Sequence, residues 1–149
     1  NLKAVIQRVL SASVSINGKQ ISFINQGFLI LLGVVKKDNS VDLDYLVKKT
    51  TGLRVFKDKD ENMNLSIQDV GGEVLVVSQF TLCADTNKGR RPSFINAAVP
   101  EVANNMYQQS CKKLQEENIS VKTGQFGAMM EVALINDGPV TILLDSQVR

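Results

Sequence analysis

Ser78, Gln79 and Thr81 stand in a row with Phe80 where an apolar run, Glu73-Val-Leu-Val-Val77, gives out. A strand that closes on consecutive hydrogen-bonding side chains meets solvent, a turn or a ligand. The hydroxyl of Ser78 or Thr81 is a potential nucleophile, but such a hydroxyl needs an adjacent base to activate it. The chain contains no histidine. That excludes Ser-His-Asp and Cys-His hydrolases and nearly every common zinc site. Acid–base chemistry near neutral pH must therefore use shifted carboxylates, lysines, or a group that the substrate brings with it. The plain alternative for these residues is the polar end of a strand.

The loop that follows, Asp85-Thr-Asn-Lys-Gly-Arg-Arg-Pro92, is basic and rich in turn formers. A phosphate backbone is a natural partner for such a cluster, although three charges also suit a solvated loop. Phe126, between Gly124 and Gly127, either stacks on a nucleobase or fills the core. Arg8 sits among apolar neighbours; pattern alone favours an edge-strand side chain reaching solvent, while burial would demand a carbonyl or carboxylate partner. Cys83 and Cys111 have neither disulfide-framework nor metal-ligand spacing, so reduced, buried thiols are expected. The acidic segment at 56–62 lacks the spacing of a calcium loop and reads as a solvated turn. No metal site and no cofactor are expected.

These residues need elements to hold them. At 149 residues, 44% hydrophobic and 21% charged, residues 1–149 read as one domain. The net charge of +2 does not suggest a general nucleic-acid-coating protein. The longest apolar run, Phe28–Val35, is a buried strand and far short of a membrane span. No charged-then-apolar signal opens the chain, and a cytoplasmic protein with no membrane partner is expected. Residues 2–9 and 13–16 alternate as strands, Asn17-Gly18 supplies a two-residue hairpin turn, and 19–23 return. Leu43, Leu46, Val47, Thr50 and Leu53 predict a helix from Val41 to about Val55, capped at Ser40 and weakened at Gly52. Residues 64–67 read as a short strand and 73–82 as a long central one. Pro100 opens a second helix with an apolar stripe of Val102, Ala103, Met106, Tyr107, Ser110, Cys111 and Leu114. Met130–Ile135 and Val140–Leu144, either side of Asn136-Asp-Gly-Pro139, predict a terminal hairpin. Gly138-Pro139 lies at its turn, where proline offers no N–H and the flanking carbonyls sit on a stiff frame. The sum is an antiparallel-rich α+β domain, a curled, barrel-like sheet with two main helices packed on it.

Gln7-Arg8-Val9, Ser78-Gln-Phe-Thr-Leu82, Arg91-Pro-Ser-Phe94, Gly124-Gln-Phe-Gly127 and Asn136-Asp-Gly-Pro-Val-Thr141 together resemble the D-aminoacyl-tRNA deacylase family, with the likeness running from Ala4 to Leu144. The resemblance implies a homodimeric hydrolase of the ester joining a D-amino acid, or glycine, to the 3′-terminal adenosine of tRNA. It implies a cis bond at Gly138-Pro139, in a loop that enters the partner subunit's active site and opposes the side chain of an L-amino acid. Arg8 would support that loop. Ser78, Gln79, Phe80 and Thr81 would line the catalytic pocket, and Phe126 with Met130 would lie near the adenosine. An alternative on the same fold is a non-catalytic, nucleic-acid-binding dimer whose principal contacts are Lys88, Arg90 and Arg91.

Overall fold

The alternation that opens the chain builds one strand of 14 residues, β1 (Lys3–Ile16), which is long enough to pair with three others. The computed structural model describes residues 2–148. Asn17 and Gly18, both at positive φ (51° and 77°), turn β1 into β2 (Lys19–Ile24), the geometry that a two-residue hairpin requires. β3 (Gly27–Gly33) pairs antiparallel with the first half of β1, and β2 with the second half. β6 (Glu73–Ser78) then runs parallel to β3, and β7 (Ser120–Thr123) parallel to β6. A small antiparallel pair, β4 (Phe56–Lys57) and β5 (Met63–Leu65), stands apart. The expected strand at 64–67 is thus shifted, because Ser66 to Val70 form a turn closed by Ser66 and Asp69.

β3 and β6 are buried on both faces, as central parallel strands are. Phe28, Ile30, Leu32, Val74 and Val76 face the helices, while Leu29, Leu75 and Val77 join Val9, Ala12, Val14 and Ile24 inside the curl. β2 comes back against β6 and β7, so the mixed sheet nearly closes on itself. The outcome is the barrel-like α+β architecture with two helices.

Helix α1 (Ser40–Gly52) is capped by Asn39 and not by Ser40. The Asn39 side chain accepts the Val41 N–H, and Asp42 accepts the Asn39 N–H, a reciprocal box that a serine one residue later could not close. Helix α2 (Pro100–Glu116) starts at its proline and buries the predicted stripe except Val102, which is exposed in the first turn. Tyr107 donates its hydroxyl to the Val76 carbonyl at 2.9 Å. Burial pushes the Tyr107 hydroxyl well above its usual range and the Cys111 thiol up to about 11. Both folded-state values are raised, so their contribution to stability is complete below the unfolded values and is lost as pH climbs through them. Thermal melts should show stability falling from roughly pH 9 upward, the ordinary range for free thiols and phenols. Tyr107→Phe should flatten that fall.

The C-terminal segment is not a hairpin. Residues Glu131–Asp145 form one long strand, β8, antiparallel to β1 on both sides of residues 137–140. Residues 131–136 pair with Ser15–Val9 and 141–145 with Gln7–Lys3. Asn136-Asp-Gly-Pro-Val140 is therefore a loop thrown out of a continuous ladder where β1 advances only from Gln7 to Val9. Two apolar runs around a Gly-Pro cluster look like partners of each other; here both halves have the same third strand as partner.

Candidate active site

The hydrogen bonding of β6 stops at Ser78, and the chain turns into a short 3₁₀ helix, Phe80–Cys83. This corrects the expected strand to Leu82. Gln79 donates its N–H to Leu32 at 2.8 Å, ending the pairing with β3, and Leu82 N–H turns back to Gln79. Ser78 and Thr81 therefore do not alternate across a strand. The amides of Phe80 and Thr81 open the 3₁₀ turn, where N–H groups have no partner within the helix, and among the described residues they meet no acceptor. The Gln79 side-chain amide donates to the Thr81 hydroxyl at 3.0 Å. Glutamine accepts no proton, so this contact orients Thr81 without activating it. Phe80 is exposed and packs edge-to-face with Phe94, the ring centroids 5.0 Å apart.

Met130 is brought to the same strand end. Gly124 makes room for it: a Cβ there would lie 2.7 Å from the Met130 sulfur and 3.7 Å from Val77. Gly124 itself donates to Val76 at 3.2 Å. Phe126 is half-buried, its ring 6.1 Å from that of Tyr107, and it packs on the main core. Two hollows flank the 3₁₀ turn: one of about 460 Å³ reaches from Lys3 to Asn96, and one of about 480 Å³ lies between Tyr45, Leu82 and Leu143. Neither is lined by Ser78, Gln79, Phe80 or Thr81. No group of His, Cys, Asp and Glu able to hold a metal ion occurs among the described residues.

Arg8 is buried, with 2% of its surface exposed, which overturns the solvent reading suggested by pattern alone. It shares its phase on β1 with Ala4 and Ile6, both buried, and residues i, i+2 and i+4 line one face of a strand. Its Nε donates to the Asp137 carbonyl at 2.9 Å and Nη1 to the Val55 carbonyl at 2.5 Å, with the Asp137 carboxylate 3.5 Å away. The guanidinium thus ties the 136–140 loop to the segment after α1. Gln7 and Asn136 brace it further. Asn136 donates to Gln7 Oε1 at 2.5 Å and accepts the Val140 N–H at 2.7 Å, and Thr141 donates to Gln7 at 2.7 Å. Gln7 and Asn136 had no assigned role from sequence, because each needs its partner across the β1–β8 ladder to be recognised. Within this frame the Gly138-Pro139 bond is cis and both residues are exposed. Replacing Arg8 with alanine should cost about 3 kcal/mol, from two charge-assisted hydrogen bonds at roughly 1.5 each. Urea denaturation would measure it, and Arg8→Lys should recover only part because an ammonium lacks the guanidinium fork.

The loop and the strand end are far apart within one chain. Ser78 is level with Leu32 and Ala4, whereas the loop leaves β1 between Gln7 and Val9. That is roughly 10–17 Å along the strands at 3.3 Å per residue, with β1 and β3 lying between β8 and β6.

A family model described as D-Tyr-tRNA(Tyr) deacylase matches residues 5–145. A D-aminoacyl-tRNA deacylase of Clostridioides difficile (strain 630) is 55% identical over 145 residues, covering 97% of this chain and 97% of that protein. Another, from Thermosipho africanus (strain TCF52B), is 50% identical over 146 residues, at 98% coverage of both. Among solved structures, a c-Myc DNA Unwinding Element Binding Protein superimposes with a TM-score of 0.90 at 41% identity, covering 96% of this chain and 97% of that one. A probable eukaryotic D-amino acid tRNA deacylase superimposes at 0.80 with 15% identity over 96% and 98%, a likeness of fold alone. The nearly closed mixed sheet with two helices is the architecture these structures share. The chain belongs to the D-Tyr-tRNA(Tyr) deacylase family.

Proposed function

We propose that this protein is a hydrolase that removes D-amino acids, and glycine mischarged on tRNA(Ala), from the 3′-terminal adenosine of tRNA while sparing L-aminoacyl-tRNA. The observation that carries the reading is the family match over residues 5–145. The strand end gives it a mechanism. An aminoacyl ester is already activated, so orientation and donors aimed at the developing oxyanion suffice. Water attacks the ester carbonyl carbon, the Phe80 and Thr81 amides donate to the oxygen as it gains charge, and the ribose 3′-oxygen leaves. The neighbouring 2′-hydroxyl assists proton transfer, a role that a site without histidine leaves to the substrate. Ser78 and Gln79 line the pocket; Gln79 holds Thr81, which positions the substrate and forms no acyl-enzyme. Phe126 and Met130 lie against the adenosine.

The Gly138 and Pro139 carbonyls form the chirality filter. Held by Arg8, Gln7 and Asn136, they leave space for hydrogen or a D side chain and clash with an L side chain. Their distance from Ser78 within one chain supports a reading in which they serve the pocket of a second copy, in a homodimer that acts in the cytoplasm with its active sites between subunits. β8 supports this: among the described residues only β1 pairs with it, and Ile135, Leu143 and the following Val148 expose apolar surface.

Thr81→Ala and Thr81→Ser should both retain substantial activity; a covalent adduct trapped on Thr81 would contradict the positioning role. The function itself is tested by incubating the protein with D-tyrosyl-tRNA and L-tyrosyl-tRNA and following the ester. Hydrolysis of the D form alone is expected, and hydrolysis of neither would sink the proposal. The relative named for binding a DNA unwinding element gives the second reading, a nucleic-acid-binding dimer, its footing. Tight binding without turnover would favour it.

A further inference from the structure

We propose that the loop from Asp85 to Ser93 grips the phosphate backbone of tRNA beside its acceptor end, with Lys88, Arg90 and Arg91 as the contacts. The inference rests on the deacylase reading only for which RNA is bound. Lys88, Arg90 and Arg91 fall within four consecutive positions, and from there to Glu101, and back to Asp85, the sequence carries no acid. In a chain of net charge +2 this is a local concentration of positive charge. All three side chains are exposed. Among the described residues the ion pairs engage Arg8, Lys57, Lys113 and Lys122, and none engages these three.

A loop that served only solubility would need no fixed frame. This one is pinned at its base, where Asp85 and Ser93 exchange backbone hydrogen bonds of 2.7 and 2.8 Å. The Asp85 carboxylate at that base accepts the Asn87 N–H at 2.9 Å. Gly89, at φ +66°, turns the tip between Lys88 and Arg90. The exit is fixed by Lys36 N–H to Asn96 at 3.1 Å and Ala98 N–H to Val34 at 2.9 Å. Phe94 then packs against the Phe80 ring. The cations are therefore carried on a frame joined directly to the 3₁₀ turn, so a strand that places its terminal ester at Phe80 and Thr81 passes its preceding phosphates over the loop. The hollow of about 460 Å³ beside it offers a fourth cation, Lys3, which has no ion pair among the described residues. Guanidinium groups match phosphate bidentately, and such contacts position the nucleic acid without reading its sequence.

The test compares two esters on the full-length wild type and the triple variant Lys88→Ala/Arg90→Ala/Arg91→Ala. One is D-tyrosyl-tRNA; the other is D-tyrosyl-adenosine, which carries no phosphate. The variant should raise KM for the tRNA on the order of ten- to a hundredfold with kcat unchanged, and leave the adenosine ester alone. Its salt dependence should flatten by about 0.7 in log–log slope for each phosphate that is no longer neutralised. Restoring charge as three lysines should recover most of the affinity. Unchanged KM for tRNA, or equal losses on both esters, would overturn the inference while leaving the deacylase reading intact. Fluorescence anisotropy of uncharged tRNA reads the same interaction without catalysis: equal affinity of variant and wild type would overturn it even if no ester is cleaved.

Discussion

Phe80→Pro should lower kcat on D-tyrosyl-tRNA by about 10²–10³, the cost of removing one oxyanion donor, while Phe80→Ala keeps most of the activity. Both variants remove the same exposed ring and its packing on Phe94; they differ in the backbone N–H. Proline is at home at the first position of a helical turn, and Gln79 before it, at φ −142° and ψ 91°, is clear of the α region that a following proline disfavours. The fold is thus expected to accept the change. Single-turnover kinetics on the D ester separates the outcomes. Equal losses in both variants would assign the effect to the ring and remove the Phe80 amide from the mechanism.

Gly138→Ala should relax chirality selection. Gly138 has φ +148°, which side chains rarely adopt, and an added Cβ would lie 2.8 Å from both the Val140 nitrogen and its Cγ2, and 3.2 Å from Arg8 Nη2. Val140 is fixed by Asn136 and Arg8 by Val55, so the displacement falls on the peptide groups at 138 and 139. L-tyrosyl-tRNA hydrolysis should rise at least about tenfold, the factor that 1.4 kcal/mol of relieved repulsion represents, and D-tyrosyl-tRNA hydrolysis should change less. A parallel thermal melt should show a loss of a few degrees, in keeping with about 1–3 kcal/mol of backbone strain. Selectivity that survives unchanged would place the filter elsewhere.

Features decided by neighbours in the chain were legible in the sequence. Asn17-Gly18 announced its turn, Pro100 its helix, and the run Phe28 to Val35 the buried strand that forms as Gly27–Gly33. Features that depend on a distant partner were not. Nothing local shows that β1 is long enough to pair with both halves of β8, so the Gly138-Pro139 cluster looked like a hairpin turn. The end of β6 was misread for a related reason: Gln79 leaves the ladder because Leu32 closes it, and Phe80 to Cys83 are apolar enough to continue a strand. Arg8 was misread as solvent-facing: its phase with Ala4 and Ile6 buries it, and the acceptors that make burial possible, the carbonyls of Val55 and Asp137, leave no mark in the sequence. Of the candidate site, the residue types were visible; the free amides of Phe80 and Thr81 and the bracing of the loop by Gln7 and Asn136 belong to the folded backbone.

The central claim is that the Gly138-Pro139 carbonyls of one chain filter the substrate of another. Mixing two defective chains tests it most directly. One carries Phe80→Pro, with a poor pocket and an intact loop; the other carries Gly138→Ala, with an intact pocket and a displaced loop. After subunit exchange, D and L ester hydrolysis is followed. The account predicts that mixed dimers recover D-specific activity, because the intact loop serves the intact pocket across the interface. Rates equal to the average of the two homodimers, with L hydrolysis undiminished, would show that each loop serves its own chain.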